Sequence, residues 1–166
     1  MTLRRHRLDP ERAAEHLPSL YRAARAWVGS REDAEDLVQE TFARVLARPR
    51  FLRNEDELGY LLRALRNTLV SRHRTASRRP QTTRLDEEAA FSGRAGEDPA
   101  EAALSREVYA AIHELPQEFR DVLVAVDVAG LSYGEAGRLL GVPEGTVTSR
   151  LFRARDRVAR RLEGGQ

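Results

Sequence analysis

The chain has 166 residues, enough for one domain or two small ones, and it contains no cysteine, which excludes disulfides, thiolate metal sites and thiol redox switching within it. Charged residues make up 33 % of it, with 28 basic against 26 acidic; every strongly basic residue is arginine, so the formal net charge of +2 understates any local basic patch. No apolar run approaches a membrane span and the N-terminal MTLRRHRLDPER lacks the apolar core of a signal peptide, so a soluble cytoplasmic protein without membrane insertion is expected.

After a short basic tail, Leu17, Leu20, Tyr21, Ala24, Trp27 and Val28 recur at helical spacing and stop at Gly29. Ser30 is placed to cap the next helix, with Asp33 at the capping-box position. In that helix Ala34, Leu37, Val38, Thr41, Phe42, Val45 and Leu46 form the apolar stripe, and Pro49 closes it. Its first half is acidic outside, with Glu32, Asp33, Glu35, Asp36 and Glu40. Acids there suit the helix dipole, or they make a docking face for a basic partner. A polar connector, PRFLRNEDE, leads to a third helix buried through Leu58, Leu61, Leu62, Leu65 and Leu69. From Leu58 through Leu85 there is no acid, while Arg63, Arg66, Arg72, Arg74, Arg78 and Arg79 make a basic track suited to a nucleic-acid backbone.

Residues 80–99, rich in proline, glycine, serine and acids, read as a flexible linker. Beyond it Leu104, Val108, Ala111, Ile112 and Leu115 mark one helix and Phe119, Val122, Leu123 and Val126 another, with Pro116 between. The last stretch, LSYGEAGRLLGVPEGTVTSRLFRARDRVARR, reads as a helix-turn-helix. Ser132 and Glu135 make a capping box, Gly141 a stop, Pro143 a start, and Val147, Leu151, Ala154 and Val158 the buried stripe of an arginine-crowded second helix. In such a motif the start of the second helix meets base edges and later cations meet phosphates. Glu144, Thr148, Ser149, Phe152 and Arg153 are thereby placed to read bases, and Arg150, Arg155, Arg157 and Arg160 to hold backbone; the alternative is an amphipathic helix with a solvated basic face. No strand alternation stands out, so the expected fold is all-α: two small helical domains, 1–79 and 100–166, joined by the linker 80–99.

His6, His16, His73 and His113 lack ligand spacing, and there is neither a glycine-rich phosphate loop nor a nucleophile elbow. No metal, no cofactor and no enzymatic activity of its own are expected.

The run DAEDLVQETF (Asp33 to Phe42), the helix YLLRALRNTLVSRHR, the linker, and ELPQEFRDVLVAVDVAGLSYGEAGRLLGVPEGTVTSRLFRAR together resemble an extracytoplasmic-function (ECF) sigma factor of the sigma-70 type. The resemblance implies a factor that binds core RNA polymerase and directs it to promoters, under an anti-sigma factor. Residues 1–79 would be the region 2-like domain and 100–166 the region 4-like domain, the polymerase partners being the β′ clamp helices and the β flap. It places Asp33, Asp36, Leu37, Gln39 and Glu40 on the polymerase, and Arg53, Asn54, Glu55, Tyr60, Arg63, Arg66, Asn67 and Arg74 on the opened −10 strand. Glu144, Thr148, Ser149, Arg150, Phe152, Arg153, Arg155 and Arg157 fall on the −35 duplex. Tyr60 stands where relatives usually have tryptophan, Thr148 and Val126 where many have a basic residue, and Ala136-Gly137 replaces a bulkier pair. The rival readings are a stand-alone helix-turn-helix regulator, which leaves the acidic second and basic third helices unexplained, and an interaction protein whose main task is to be held by a regulator.

Overall fold

The computed structural model describes residues 5–48, 50–53, 56–78 and 99–164. In the N-terminal half, strand β1 (Arg5–Arg7) and helix α1 (Pro10–Glu15) precede α2 (Leu17–Val28) and α3 (Arg31–Ala47); strand β2 (Phe51–Arg53) then leads into the long α4 (Glu57–Arg78). The C-terminal half holds α5 (Pro99–His113), α6 (Gln117–Leu123) running into a π-helical turn at Val124–Val128, α7 (Tyr133–Leu140) and α8 (Glu144–Glu163). The linker expected at 80–99 lies outside the described residues except for Pro99, which opens α5.

Local chemistry accounts for the boundaries. The Ser30 hydroxyl accepts from Asp33 N at 3.1 Å to start α3, and Gly29, at φ 79°, ends α2 with its N–H on the Arg25 carbonyl at 3.0 Å. The capping box at α7 is complete: Glu135 N donates to Ser132 Oγ at 3.2 Å and Ser132 N to Glu135 Oε2 at 2.7 Å. The Ser132 N–H first, and then the Ser132 side chain, hold the Glu135 carboxyl below its ordinary range.

One expectation needs correction. The region before Leu17 is not a bare tail: Asp9 caps α1 by accepting from Glu11 N at 3.0 Å, and β1 pairs antiparallel with β2, His6 facing Leu52. Three-residue strands are too short to show alternation, and their partner lies far along the chain. The two halves are packed against each other. Leu20, Leu37, Leu61, Leu62 and Leu65 fill the N-terminal half, and Val122, Val124, Val147 and Leu151 the other, but one continuous core joins them. The joint is α2. One face packs on α3 and α4, and the rest lies against α5, α6 and the π-helical turn, leaving Leu20, Ala23, Ala24, Arg25, Ala26 and Trp27 all buried.

Candidate nucleic-acid interface

The C-terminal half presents α8 as a recognition helix. Val147, Leu151 and Ala154 seat it on α6 and α7, so Glu144, Thr148, Ser149, Phe152 and Arg153 face solvent, Phe152 with 75 % of its surface exposed. The Thr148 hydroxyl donates to the Glu144 carbonyl at 3.0 Å and Ser149 to the Thr146 carbonyl at 3.2 Å, leaving the lone pairs of both hydroxyls outward. The arginines divide differently from the expectation. Arg150 pairs with Glu118 at 3.1 Å, Arg155 grips Asp127 with two bonds of 2.9 and 2.7 Å, and Arg157 lies 4.8 Å above the Phe119 ring. Those three fasten α8 to its own scaffold. Arg153 has no such partner among the described residues.

The tightness of the turn between α7 and α8 rests on Gly137. A Cβ there would sit 2.8 Å from the Val142 carbonyl, and Val142 N is itself bonded to the Gly137 carbonyl at 3.0 Å. The small pair Ala136-Gly137 is thus the condition for bringing α8 this close.

In the N-terminal half a cavity of about 590 Å³ opens between the end of α3, β2 and α4. Arg44, Arg48, Arg50 and Arg63 line it together with Phe51, Asp56, Tyr60, Asn67 and Ser71. Phe51 is 70 % exposed, and the Asp56 carboxylate is turned to Gly59 N at 3.0 Å, capping α4. Four guanidiniums, two rings and amide and hydroxyl partners in a cavity of nucleotide size are suited to an extruded base and its phosphates. The wall of this cavity is braced from the N-terminus: Glu57 is buried, His6 Nε2 lies 2.8 Å from it, and Arg12 and His16 approach at 3.5 and 3.6 Å.

The structure brings Tyr60, Arg63 and Asn67 together in the cavity. Arg53 lies in β2 beside it, and Asn54 and Glu55 lie outside the described residues. Arg74 is exposed further along α4, and Arg66 turns instead to Asp121 of α6 at 3.0 Å. Sequence reasoning missed Arg44, Arg48, Arg50 and Phe51. The signal was present in RVLARPRFLR, where arginines straddle a proline next to an aromatic. Of the acidic-helix residues, Asp33, Asp36 and Gln39 are exposed, while Glu40 is tied at 2.6 Å to each of Arg44 and Arg72. Leu37 is 0 % exposed and belongs to the core, so it cannot touch a polymerase; its place in the apolar stripe outweighs its place among acids.

A predominantly helical chain with a helix-turn-helix and a separate basic, ring-lined cleft falls in the class of DNA-binding transcription proteins. Sigma-70 region 2 matches residues 5–79, and Sigma-70, region 4 matches residues 105–158. The chain is 35 % identical to the ECF RNA polymerase sigma factor SigE of Mycolicibacterium smegmatis, over 89 % of its own length and 59 % of that protein's. It is 34 % identical to the ECF RNA polymerase sigma factor SigM of Mycobacterium tuberculosis, over 89 % of the chain and 73 % of that relative. The fold is similar to that of the sigma factor RpoE, solved in complex with the anti-sigma factor NepR from Bartonella quintana, with a TM-score of 0.75 at 24 % identity over 92 % of this chain and 95 % of that one. The chain belongs to the family of ECF RNA polymerase sigma factors. No helix among the described residues is long and apolar enough to cross a membrane.

Proposed function

We propose that the chain binds core RNA polymerase and selects promoters with two surfaces, the cavity of the 1–79 domain taking the opened −10 strand and α8 of the 100–166 domain reading the −35 duplex. The observation that carries this is the cavity. A helix-turn-helix alone fits a duplex-binding regulator equally well, whereas a basic cavity walled by Phe51 and Tyr60 has a use only if bases leave the stack. Melting costs unstacking energy, and stacking of extruded bases on rings with arginines along the strand offsets it. The exposed acids Asp33 and Asp36 with Gln39 form the face for the polymerase clamp helices, and the C-terminal domain meets the β flap. Control by an anti-sigma factor in the cytoplasm is supported by two structures of similar fold whose sigma factors were solved with such partners, RpoE with NepR and CnrH with the cytosolic domain of CnrY. The bond-making chemistry is assigned to the polymerase, the chain itself being an initiation factor and not an enzyme.

The test is in vitro transcription by bacterial core polymerase on a genomic promoter library, with and without the chain. Discrete start sites that require it, and that are lost in the double variant Tyr60→Ala/Arg63→Ala, are expected. Tight duplex binding by the chain alone, with no initiation, would overturn the proposal in favour of a stand-alone regulator.

A further inference from the structure

The ribbon of β1 and β2 borders the cavity through Phe51, and its register decides which of its residues face out. β1 pairs antiparallel with β2, Arg5 opposite Arg53, His6 opposite Leu52 and Arg7 opposite Phe51. Residues opposed in a ladder share a face, and successive residues along a strand alternate between faces. His6 and Leu52 take the inner face: Leu52 is buried, and His6 Nε2 lies 2.8 Å from the carboxylate of buried Glu57. Arg7 and Phe51 share the outer one, where both are exposed.

Arg7 is fixed in place by its neighbours and left without a task of its own. Before it His6 is anchored on Glu57, and after it Leu8 is buried and Asp9 caps α1. Its guanidinium has no hydrogen bond or ion pair among the described residues. The six residues of the ribbon, RHR and FLR, hold three arginines and no acid, so the charge invites a polyanion.

The spacing selects what kind of polyanion. Opposed positions of a ladder carry their Cβ atoms about 4.5–5.5 Å apart. A ring and a cation at that separation match the two ends of one nucleotide, with the base on the ring and the phosphate on the guanidinium. Bases stacked inside a duplex leave no free face for Phe51, so the fitting occupant is a single strand. Phe51 already lines the cavity with Tyr60, Arg63 and Asn67, whereas Arg7 stands outside that lining.

We propose that β1 belongs to the DNA-binding surface, a base stacked on Phe51 at the cavity rim laying its phosphate on Arg7. The proposal rests on the cavity's assignment to the opened −10 strand. It adds a grip from the start of the chain that holds the strand by its backbone and carries no sequence preference of its own.

The experiment follows the anisotropy of a fluorescent single-stranded oligonucleotide of −10 sequence, taken from the promoters mapped by transcription, against the full chain assembled with bacterial core polymerase. Titrations run from about 50 to about 200 mM salt. Arg7→Ala is expected to weaken binding about three- to fivefold and to reduce the slope of log affinity against log salt by about 0.7, one phosphate's share on a single strand. Arg7→Lys is expected to keep that slope. Phe51→Ala is expected to weaken binding about 5- to 150-fold through the loss of one stacked base, with the slope unchanged. Oligonucleotides in which one phosphate at a time is replaced by a neutral methylphosphonate locate the contact: a single linkage should weaken wild type and leave Arg7→Ala unaffected. Wild-type affinity and slope in Arg7→Ala, or a loss that no single linkage shares, would overturn the contact. Binding by no form, wild type included, would overturn the cavity's assignment to the −10 strand, and the Arg7 contact with it.

Discussion

Replacing Gly137 by alanine sets two effects of opposite sign against each other, and the structure decides between them. Alanine is favoured over glycine in a helix interior by about 0.8–1.0 kcal/mol, so propensity alone predicts a more stable protein. The added methyl, however, would lie 2.8 Å from the Val142 carbonyl oxygen, a backbone atom that cannot rotate aside, with Glu144 N and Val147 Cγ2 next at 3.7 and 3.8 Å. Relief requires the turn to open and carry the start of α8 with it, at the overpacking cost of about 1–3 kcal/mol, with about 0.5–1.5 kcal/mol more if the Val142 N to Gly137 carbonyl bond is lost. The expected net is a destabilisation of about 1–2 kcal/mol, or roughly 3–6 °C in Tm for a chain of this size. Thermal unfolding of the full chain followed by far-UV circular dichroism measures it, and −35 duplex binding should weaken in parallel as α8 is displaced. A Tm raised by 2–4 °C, about what propensity alone provides, would show that the turn yields freely and that the packing argument is wrong.

Arg153→Ala should weaken −35 duplex binding by about 1–3 kcal/mol, roughly 5- to 150-fold, with polymerase association unchanged. Arg155→Ala, whose guanidinium is engaged by Asp127, should lower affinity less and Tm slightly; equal losses of affinity in a mobility-shift titration would refute the division between the two arginines. Asp36→Arg should abolish co-elution with core polymerase while duplex binding survives, whereas Leu37→Ala should cost about 2–5 kcal/mol in urea unfolding, as a core deletion does. His113 carries a pH prediction. Burial first, and then the charge of Arg120, hold its imidazole below its ordinary value of 6.5. The unfolded chain therefore binds more protons, and stability should fall as pH drops through about 6.5 toward the folded-state value. His113→Gln should flatten that fall between about pH 7.5 and about pH 5.5; an unchanged slope would place its cause elsewhere.

Much of the candidate site was legible because its cues are local. The Ser30 and Ser132 caps, the Gly29 and Gly141 stops and the Val147–Leu151–Ala154 stripe each depend on residues within a turn or two, and each lies where the spacing predicts. The cavity was half legible. Tyr60, Arg63 and Asn67 follow from helix periodicity, but Arg44 and Arg48 join them because α3 packs on α4, and Phe51 lies in β2, whose pairing with β1 joins residues more than 40 positions apart.

The sequence by itself determined the helices, their buried stripes, the helix-turn-helix and the resemblance to ECF sigma factors, all of which are written in repeats of three to four residues or in contiguous motifs. Only the tertiary structure decided which cations are free. Arg155 is engaged because Asp127 lies 28 positions away on the π-helical turn, Arg66 because Asp121 lies 55 away on α6, and no periodicity encodes such meetings. It also decided what the alanines of α2 are for. Ala23 and Ala26 look neutral in a one-sided helix, yet their small side chains allow a second domain to close on the face that polar residues would otherwise have kept in water. A helix buried on both faces carries one apolar stripe in its sequence and a second partner that declares itself only in space.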